Sequence, residues 1–281
     1  MIQLGYATML GILLGPGCFS PHVNSSERPV LPRSSLPVPN KMVPVDRAEG
    51  GLGGVCFLKV NRRIGSLLKQ DGRATGALVA GRFVITAAHN IVDAPYPLGR
   101  VDFIEVAVGE VQAREGSTIV PAKDSWSLAP RFHWRPKTIG DPWGSSFMIQ
   151  HDYGFVDLGG EVKGRSSFEL GASLSLKVGD VIKVAGYPEG GARVHGANGN
   201  RLFQASGKVT AVTANLFSYD VVTARGISGA PVWVERGGRR VLVGVHVGSD
   251  FGGEKGAMAR RVDSTLIRDW NRWRSRRASE D

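Results

Sequence analysis

The sequence predicts an all-β body followed by one C-terminal helix, on three observations. Short Val-, Ile- and Leu-rich runs alternate with glycine-rich breaks in a chain that holds 38 glycines in 281 residues. Two pairs of runs flank tight-turn dipeptides: residues 75–80 and 83–88 around Gly81-Arg82, and residues 231–234 and 241–246 around Gly237-Gly238. Helical periodicity emerges only near the end, where Leu266, Ile267, Trp270 and Trp273 recur behind Asp263 or Ser264 as a cap. Between the hairpins, residues 181–187 read as a strand stopped by Pro188. Residues 202–212 and 216–224 read as two more, with a turn near 213–215. Such a body is a set of barrels or a sandwich.

Composition narrows the class. Hydrophobic residues make up 42% and charged residues 21%, which suits a globular chain with a core, and 281 residues do not demand two independent domains. The formal net charge of +10 would suit nucleic acid, an anionic membrane or acidic substrates. Much of it is local: Arg260, Arg261, Arg268, Arg272, Arg274, Arg276 and Arg277 crowd the C-terminal end, as on a solvated basic helix. No zinc-finger spacing and no aromatic nucleic-acid motif occurs, so no nucleic-acid partner is expected.

Only Cys18 and Cys56 occur, which excludes a disulfide-dense scaffold. Cys56 sits in the apolar run Gly54-Val55-Cys56-Phe57-Leu58 with no basic neighbour to lower its pKa, and reads as a buried, inert thiol. The apolar stretch 9–14, too short to span a membrane, has the length of a signal-peptide core. Gly15-Pro16-Gly17-Cys18 after it resembles a bacterial lipoprotein cleavage site, with Cys18 the acylated residue. Residues 1–18 are therefore expected to direct export, to the medium or the bacterial cell envelope. Residues 19–50, rich in Ser, Pro and Asn, read as a linker or propeptide, and the compact domain is expected over 51–281.

Three segments carry candidate chemistry. Residues 84–89 end in His89, residues 151–158 contain Asp152, and Gly226-Ile227-Ser228-Gly229 carries a serine between glycines. A serine hydroxyl is barely ionised at neutral pH, so it needs a base within reach, and His89 is the candidate. The other ring nitrogen needs an acceptor that fixes the tautomer and stabilises the imidazolium, which Asp152 would supply. The tetrahedral intermediate bears an oxyanion, and the N–H groups of Gly226 and Ser228 are the natural donors to it. The order His, Asp, Ser differs from that of hydrolase-fold esterases and of subtilisins. His151 reads as a rim or surface residue, His133 with Trp134 as a packing pair, and His195 as exposed in a glycine-rich stretch. No histidine pair has metal-ligand spacing, so no metal or other cofactor is expected.

At these residues the chain resembles the trypsin-like serine peptidases, and within them the glutamyl endopeptidases of the staphylococcal type. The resemblance covers about residues 43–276 and includes Ala185-Gly186-Tyr187-Pro188, Gly207-Lys208-Val209, Tyr219-Asp220 and Gly244-Val245-His246-Val247-Gly248. It implies two six-stranded antiparallel β-barrels, over about 51–160 and 161–262, and a helix over about 263–276 packed on the second barrel. It implies an endopeptidase acting on polypeptides; apart from the resemblance, a monomer is expected, touching a membrane only through a lipid at Cys18. His246 and Thr223 match the positions that hold a substrate glutamate, with His246 donating when protonated. Cleavage after Lys or Arg would need an acidic pocket base, and Val222 stands near that place. Asp250, Arg225 and Ile227 depart from the branch pattern, which leaves a preference for small or apolar residues as the alternative specificity. The resemblance also implies that cleavage between about residues 38 and 45 frees an α-ammonium for the pocket. A non-catalytic module on the same fold, or an anchored envelope protein, is the competing reading.

Overall fold

A computed structural model of the chain describes residues 40–46, 52–64, 68–92, 100–114, 118–121, 125–132, 149–171, 175–189, 197–249 and 256–279. The expectations for residues 1–39 including Cys18, and for His133, Trp134, His195 and Asp250, lie outside the described residues.

Seven strands form the N-terminal sheet: β3 (Val55–Ile64), β4 (Leu68–Val79), β5 (Phe83–Thr86), β6 (Arg100–Val108), β7 (Ile119–Pro121), β8 (Trp126–Leu128) and β9 (Gly154–Asp157). Their order is β7-β6-β3-β4-β5-β9-β8. Ahead of them lie β1 (Asn40–Lys41) and β2 (Val43–Pro44). The C-terminal strands are β10 (Glu169–Leu170), β11 (Val181–Gly186), β12 (Phe203–Val212), β13 (Leu216–Tyr219), β14 (Val221–Val222), β15 (Pro231–Arg236), β16 (Arg239–Ser249) and β17 (Ala257–Arg261). Here β16-β15-β11-β12-β13-β17 run as neighbours, and β17 pairs back onto β16 from Gly244↔Arg261 to Ser249↔Ala257. The second sheet is thus a closed six-stranded barrel. The first is a half-barrel among the described residues, its edges the three-residue strands β7 and β8.

Both sequence hairpins form, and the turn residues explain them. Gly237 and Gly238 sit at φ 55° and 74°, the two left-handed positions that match the twist of the flanking strands. Between β4 and β5, Ala80 and Gly81 take φ 49° and 70°.

Strand β3 shows how alternation builds two cores. Cys56, Leu58 and Val60 turn into the half-barrel with Leu78, Val84 and Val156. Val55 and Phe57 face the opposite way, into a cluster with Tyr187, Trp233 and the C-terminal helix. Cys56 is fully buried, and burial holds its thiol far above the usual range, which makes it inert.

That helix, α2 (Ser264–Ala278), follows a one-turn helix α1 (Ala88–Ile91) far upstream. Asp263 caps α2 by accepting the Leu266 N–H at 2.9 Å. Leu266, Trp270 and Trp273 are buried at i, i+4 and i+7. The indoles meet Phe83 of β5 and Phe155 of β9 at 5.2–5.5 Å between ring centroids. Contrary to the expectation that it packs on the second barrel, α2 lies on the N-terminal half-barrel, because the outward aromatics of β5 and β9 match its indole face. Polar groups lock the same contact: Tyr153 donates to Asp269 at 2.7 Å, and Arg277 and Arg82 both donate to the buried Asp157 carboxylate. Tyr153→Phe should cost about 1.5–3 kcal/mol, the usual worth of a hydrogen bond to a charged group, read as a lower thermal midpoint.

The expected linker ends in ordered chain. β1 pairs in parallel with β14, β2 pairs with β12, and Met42 is buried in the second barrel's core. Residues 40–46 therefore belong to the second barrel rather than to a tether, and Lys41 pairs with Val222, one residue before Thr223.

Candidate active site

The pairing of β5 with β9 brings His89 to Asp152. Thr86 stands opposite Gly154, so the three residues after β5 and the two before β9 run side by side. His89 sits in α1, where Asp152 grips it twice. Its backbone N–H donates to Asp152 Oδ1 at 2.9 Å, and its ring Nδ1 lies 2.6 Å from Oδ2. Asp152 is 5% exposed, so the carboxylate has little competition from water. The double contact fixes the ring's Nδ1 as donor and leaves Nε2 as the proton acceptor.

The serine loop comes from the second barrel and meets α1 through its backbone. Asn90, next to His89, donates from Nδ2 to the Ser228 carbonyl at 2.9 Å, and the Thr75 N–H donates to the same oxygen at 2.9 Å. The structure thus brings the histidine turn and the serine loop together.

Within the loop the carbonyls are held one after another. Ala224 O accepts from Ile227 N at 3.3 Å, Arg225 O from Glu189 N at 2.7 Å, and Ile227 O from Ala230 N at 2.9 Å. Gly229 N donates to His246 O at 2.8 Å. Among the described residues, the amides of Gly226 and Ser228 are given to no acceptor. A peptide is planar and trans, so holding Arg225 O and Ile227 O aims the N–H groups of Gly226 and Ser228 the opposite way. Two amides aimed together in this way have the form that an oxyanion site needs. Gly226 is itself required: its φ is +87°, and a Cβ there would lie 2.3 Å from Tyr187 O. Ile227 is fully buried, so the loop carries an apolar side chain in the core rather than a charge.

His246 is buried at 2% exposure, with Nδ1 2.7 Å from the Tyr219 hydroxyl. Burial, and secondly the charge that His89 can carry, push its pKa down to about 3. In the free site His246 is therefore neutral at pH 7, not the cation expected as the donor. Tyr219 is fully buried, which keeps its hydroxyl protonated, and it has no other partner among the described residues. A buried donor needs an acceptor, so Tyr219 donates to Nδ1 and the ring hydrogen sits on Nε2. His246 is a neutral N–H donor.

Acid should therefore weaken the fold. An unfolded histidine titrates near about 6.5, and the folded His246 value lies below that. His246 contributes stability above about pH 6.5 that is lost as pH falls toward its folded pKa. His151 acts with the same sign: it is buried rather than at the surface as expected, and burial with Arg260 and Arg131 lowers its pKa. Urea midpoints should fall between pH 7 and 4, and His246→Gln should flatten that slope.

The other expected site residues fall as follows. Thr223 is buried one residue beyond β14. Arg225 is almost fully exposed beside Glu189, at 3.4 Å. The paired motifs Gly207-Lys208 and Tyr219-Asp220 explain each other, since Asp220 Oδ1 accepts the Lys208 N–H and a Cβ on Gly207 would lie 2.6 Å from that oxygen. Asn90, the Glu189 amide and Tyr219 as partner of His246 were missed in the sequence. A polar Asn directly after the histidine was the one local signal.

A closed barrel and a half-barrel joined at a histidine–carboxylate pair and a glycine-flanked serine define the trypsin-like serine peptidase class. Residues 74–245, more than half of the chain, match the family model of the trypsin-like peptidase domain, and the chain belongs to that family. No curated protein sequence matches it. Solved structures share the fold. A Glu endopeptidase in complex with MPD aligns with TM-score 0.59 and 17% identity over 82% of this chain and 94% of its own. The protease Anisep from Arthrobacter nicotinovorans gives 0.57 and 16% over 82% and 99%, and human heparin binding protein 0.56 and 18% over 82% and 93%.

Proposed function

We propose that the protein is an exported serine endopeptidase working through His89, Asp152 and Ser228. The observation that carries the reading is the double grip of Asp152 on His89, beside a loop with two ungiven amides. His89 Nε2 takes the proton of Ser228 Oγ as the oxygen attacks the substrate carbonyl. The oxyanion of the tetrahedral intermediate is received by the N–H groups of Gly226 and Ser228. The intermediate collapses as His89 returns the proton to the leaving amine, and an acyl-enzyme remains on Ser228. Water, deprotonated by His89, releases the second product and restores the serine.

For the residue before the scissile bond we propose an acidic side chain, received by the His246 Nε2–H and the Thr223 hydroxyl. The solved Glu endopeptidase of the same fold adds support to this reading. The buried charge-free donor has a consequence. In the free site His246 stays neutral between about pH 5.5 and 8, so a rise in preference for Glu over Gln toward about pH 5.5 measures how far a bound carboxylate lifts its pKa. Processing that leaves a new N-terminus close to β1 would set its ammonium beside the strand leading to Thr223. Export through residues 1–18, with or without a lipid at Cys18, completes the proposal.

The test is labelling with an organofluorophosphate together with a peptide library varied before the scissile bond, on wild-type protein and Ser228→Ala. One covalent adduct on Ser228 and hydrolysis lost in the variant are expected. Folded, processed wild-type protein that takes up no probe and cuts no peptide overturns the reading in favour of a non-catalytic module. Cleavage with no preference for Glu or Asp overturns only the specificity.

A further inference from the structure

We propose that Thr75, a residue of the half-barrel outside the catalytic three, is the positioning residue that holds the oxyanion loop of the opposite barrel in its working shape. The proposal rests on the catalytic reading of Ser228 and deepens it.

Thr75 lies on β4 and is fully buried, yet its polar groups serve the other barrel. Its N–H donates to the Ser228 carbonyl at 2.9 Å. Its hydroxyl donates to the Gly226 carbonyl at 2.7 Å and accepts the Tyr187 N–H at 3.1 Å. Its own carbonyl accepts the Thr86 hydroxyl at 2.7 Å, and Thr86 in turn accepts from Asn90 at 3.0 Å. One residue thereby ties the histidine turn to the serine loop.

Two glycines make room for it, and a third makes room for its partner Tyr187. A Cβ on Gly186 would lie 2.7 Å from Thr75 Oγ1, and one on Gly229 2.1 Å from Thr75 O. A Cβ on Gly226 would meet Tyr187 O, on the residue whose amide Thr75 holds. The closeness is built from both sides of the contact.

The chemistry follows from which peptide the hydroxyl holds. The Gly226–Ile227 peptide lies between the two that carry the oxyanion donors. Rotating its plane changes ψ of Gly226 and φ of Ile227, which moves one donor relative to the other. Glycine at φ +87° resists such rotation less than any other residue, and Ile227 brings no ion pair to anchor the loop. The N–H of this peptide reaches Ala224 O at only 3.3 Å, so the 2.7 Å hydrogen bond from Thr75 to the Gly226 carbonyl supplies the tighter restraint. That bond is neutral, so it holds across the whole pH range of catalysis.

The test compares Thr75→Val, which keeps the shape and removes the hydroxyl, with Thr75→Ser, which keeps the hydroxyl. Thr75→Ala replaces Thr75→Val if the latter does not fold. Removing one oxyanion donor outright costs about 10²–10³ in kcat; a donor misaimed by a loosened loop should cost about 10–10², with KM changed less than about threefold. Affinity for a peptide boronate, which forms a tetrahedral adduct on the serine, should fall in parallel, and Thr75→Ser should recover to within about threefold of wild type. A folded Thr75→Val or Thr75→Ala with kcat within twofold of wild type overturns the proposal. So does a Thr75→Ser as poor as either, or a loss confined to KM. Wild-type protein without activity would overturn the proposed function and this role with it, whereas active wild type beside an unaffected variant removes the role of Thr75 alone.

Discussion

Asp152→Asn should lower kcat by about 10⁴, near 5.5 kcal/mol of transition-state stabilisation, while the fold persists. The size follows from the double contact. The backbone N–H of His89 donates to Oδ1 of Asp152, and this donor cannot be removed by substitution. In the amide, the remaining carbonyl oxygen must stay on that N–H. The NH₂ group then faces Nδ1, which lies 2.6 Å from its present carboxylate partner. Nδ1 becomes an acceptor, the ring hydrogen moves to Nε2, and His89 can no longer take the serine proton. Steady-state kinetics on a cleaved peptide give the fall in kcat, and a melt within a few degrees of wild type shows that the fold survives. A kcat within tenfold of wild type would show that Asp152 does not govern the tautomer.

Gly229→Ala should damage both stability and activity. The residue has φ +86°, and a Cβ there would lie 2.0 Å from Thr86 Oγ1 and 2.1 Å from Thr75 O. Both neighbours are fully buried on the half-barrel, so neither can step aside. Left-handed strain and overpacking each cost about 1–3 kcal/mol, so a loss of about 2–6 kcal/mol is expected. At about 2–4 °C per kcal/mol for a domain of this size, the midpoint should drop by about 4–24 °C. The displaced loop carries Ser228, and a misplacement of about 1 Å can cost 10² in rate. A thermal melt and a progress curve on one preparation check both parts.

The features legible in the sequence are those whose cause is local. Gly237-Gly238 reads as a tight hairpin because only glycine takes two successive left-handed turns without strain. The α2 start is legible because Asp263 and the apolar spacing of Leu266, Trp270 and Trp273 lie within three turns of one another. Burial of Cys56 follows from its apolar neighbours along the strand. The candidate triad is legible because glycine, serine, histidine and aspartate each stand in a short motif, and the motifs come in an order that other hydrolase folds do not use.

What eluded the sequence has its cause across the chain. Residues 40–46 have the composition of a tether, yet they pair with strands some 160–180 positions away. The side of the molecule on which α2 docks depends on Phe83 and Phe155, which no periodicity within the helix reveals. The charge of His246 is set by how completely the second barrel encloses it and by the Tyr219 hydroxyl. Composition along the chain fixes neither quantity.

Thr75 marks the boundary most clearly. Its β-branched side chain suits the strand in which it was read, and its neighbours are those of an ordinary hairpin. Its hydroxyl acquires a role only when β4 comes within hydrogen-bond reach of Gly226 and Tyr187, residues more than 100 positions away. Local propensity and turn chemistry settle which segments become strands and which residues can do acid–base work. The aim of those residues depends on directional bonds of about 3 Å between distant segments, and such distances exist only once the barrel and the half-barrel have packed together.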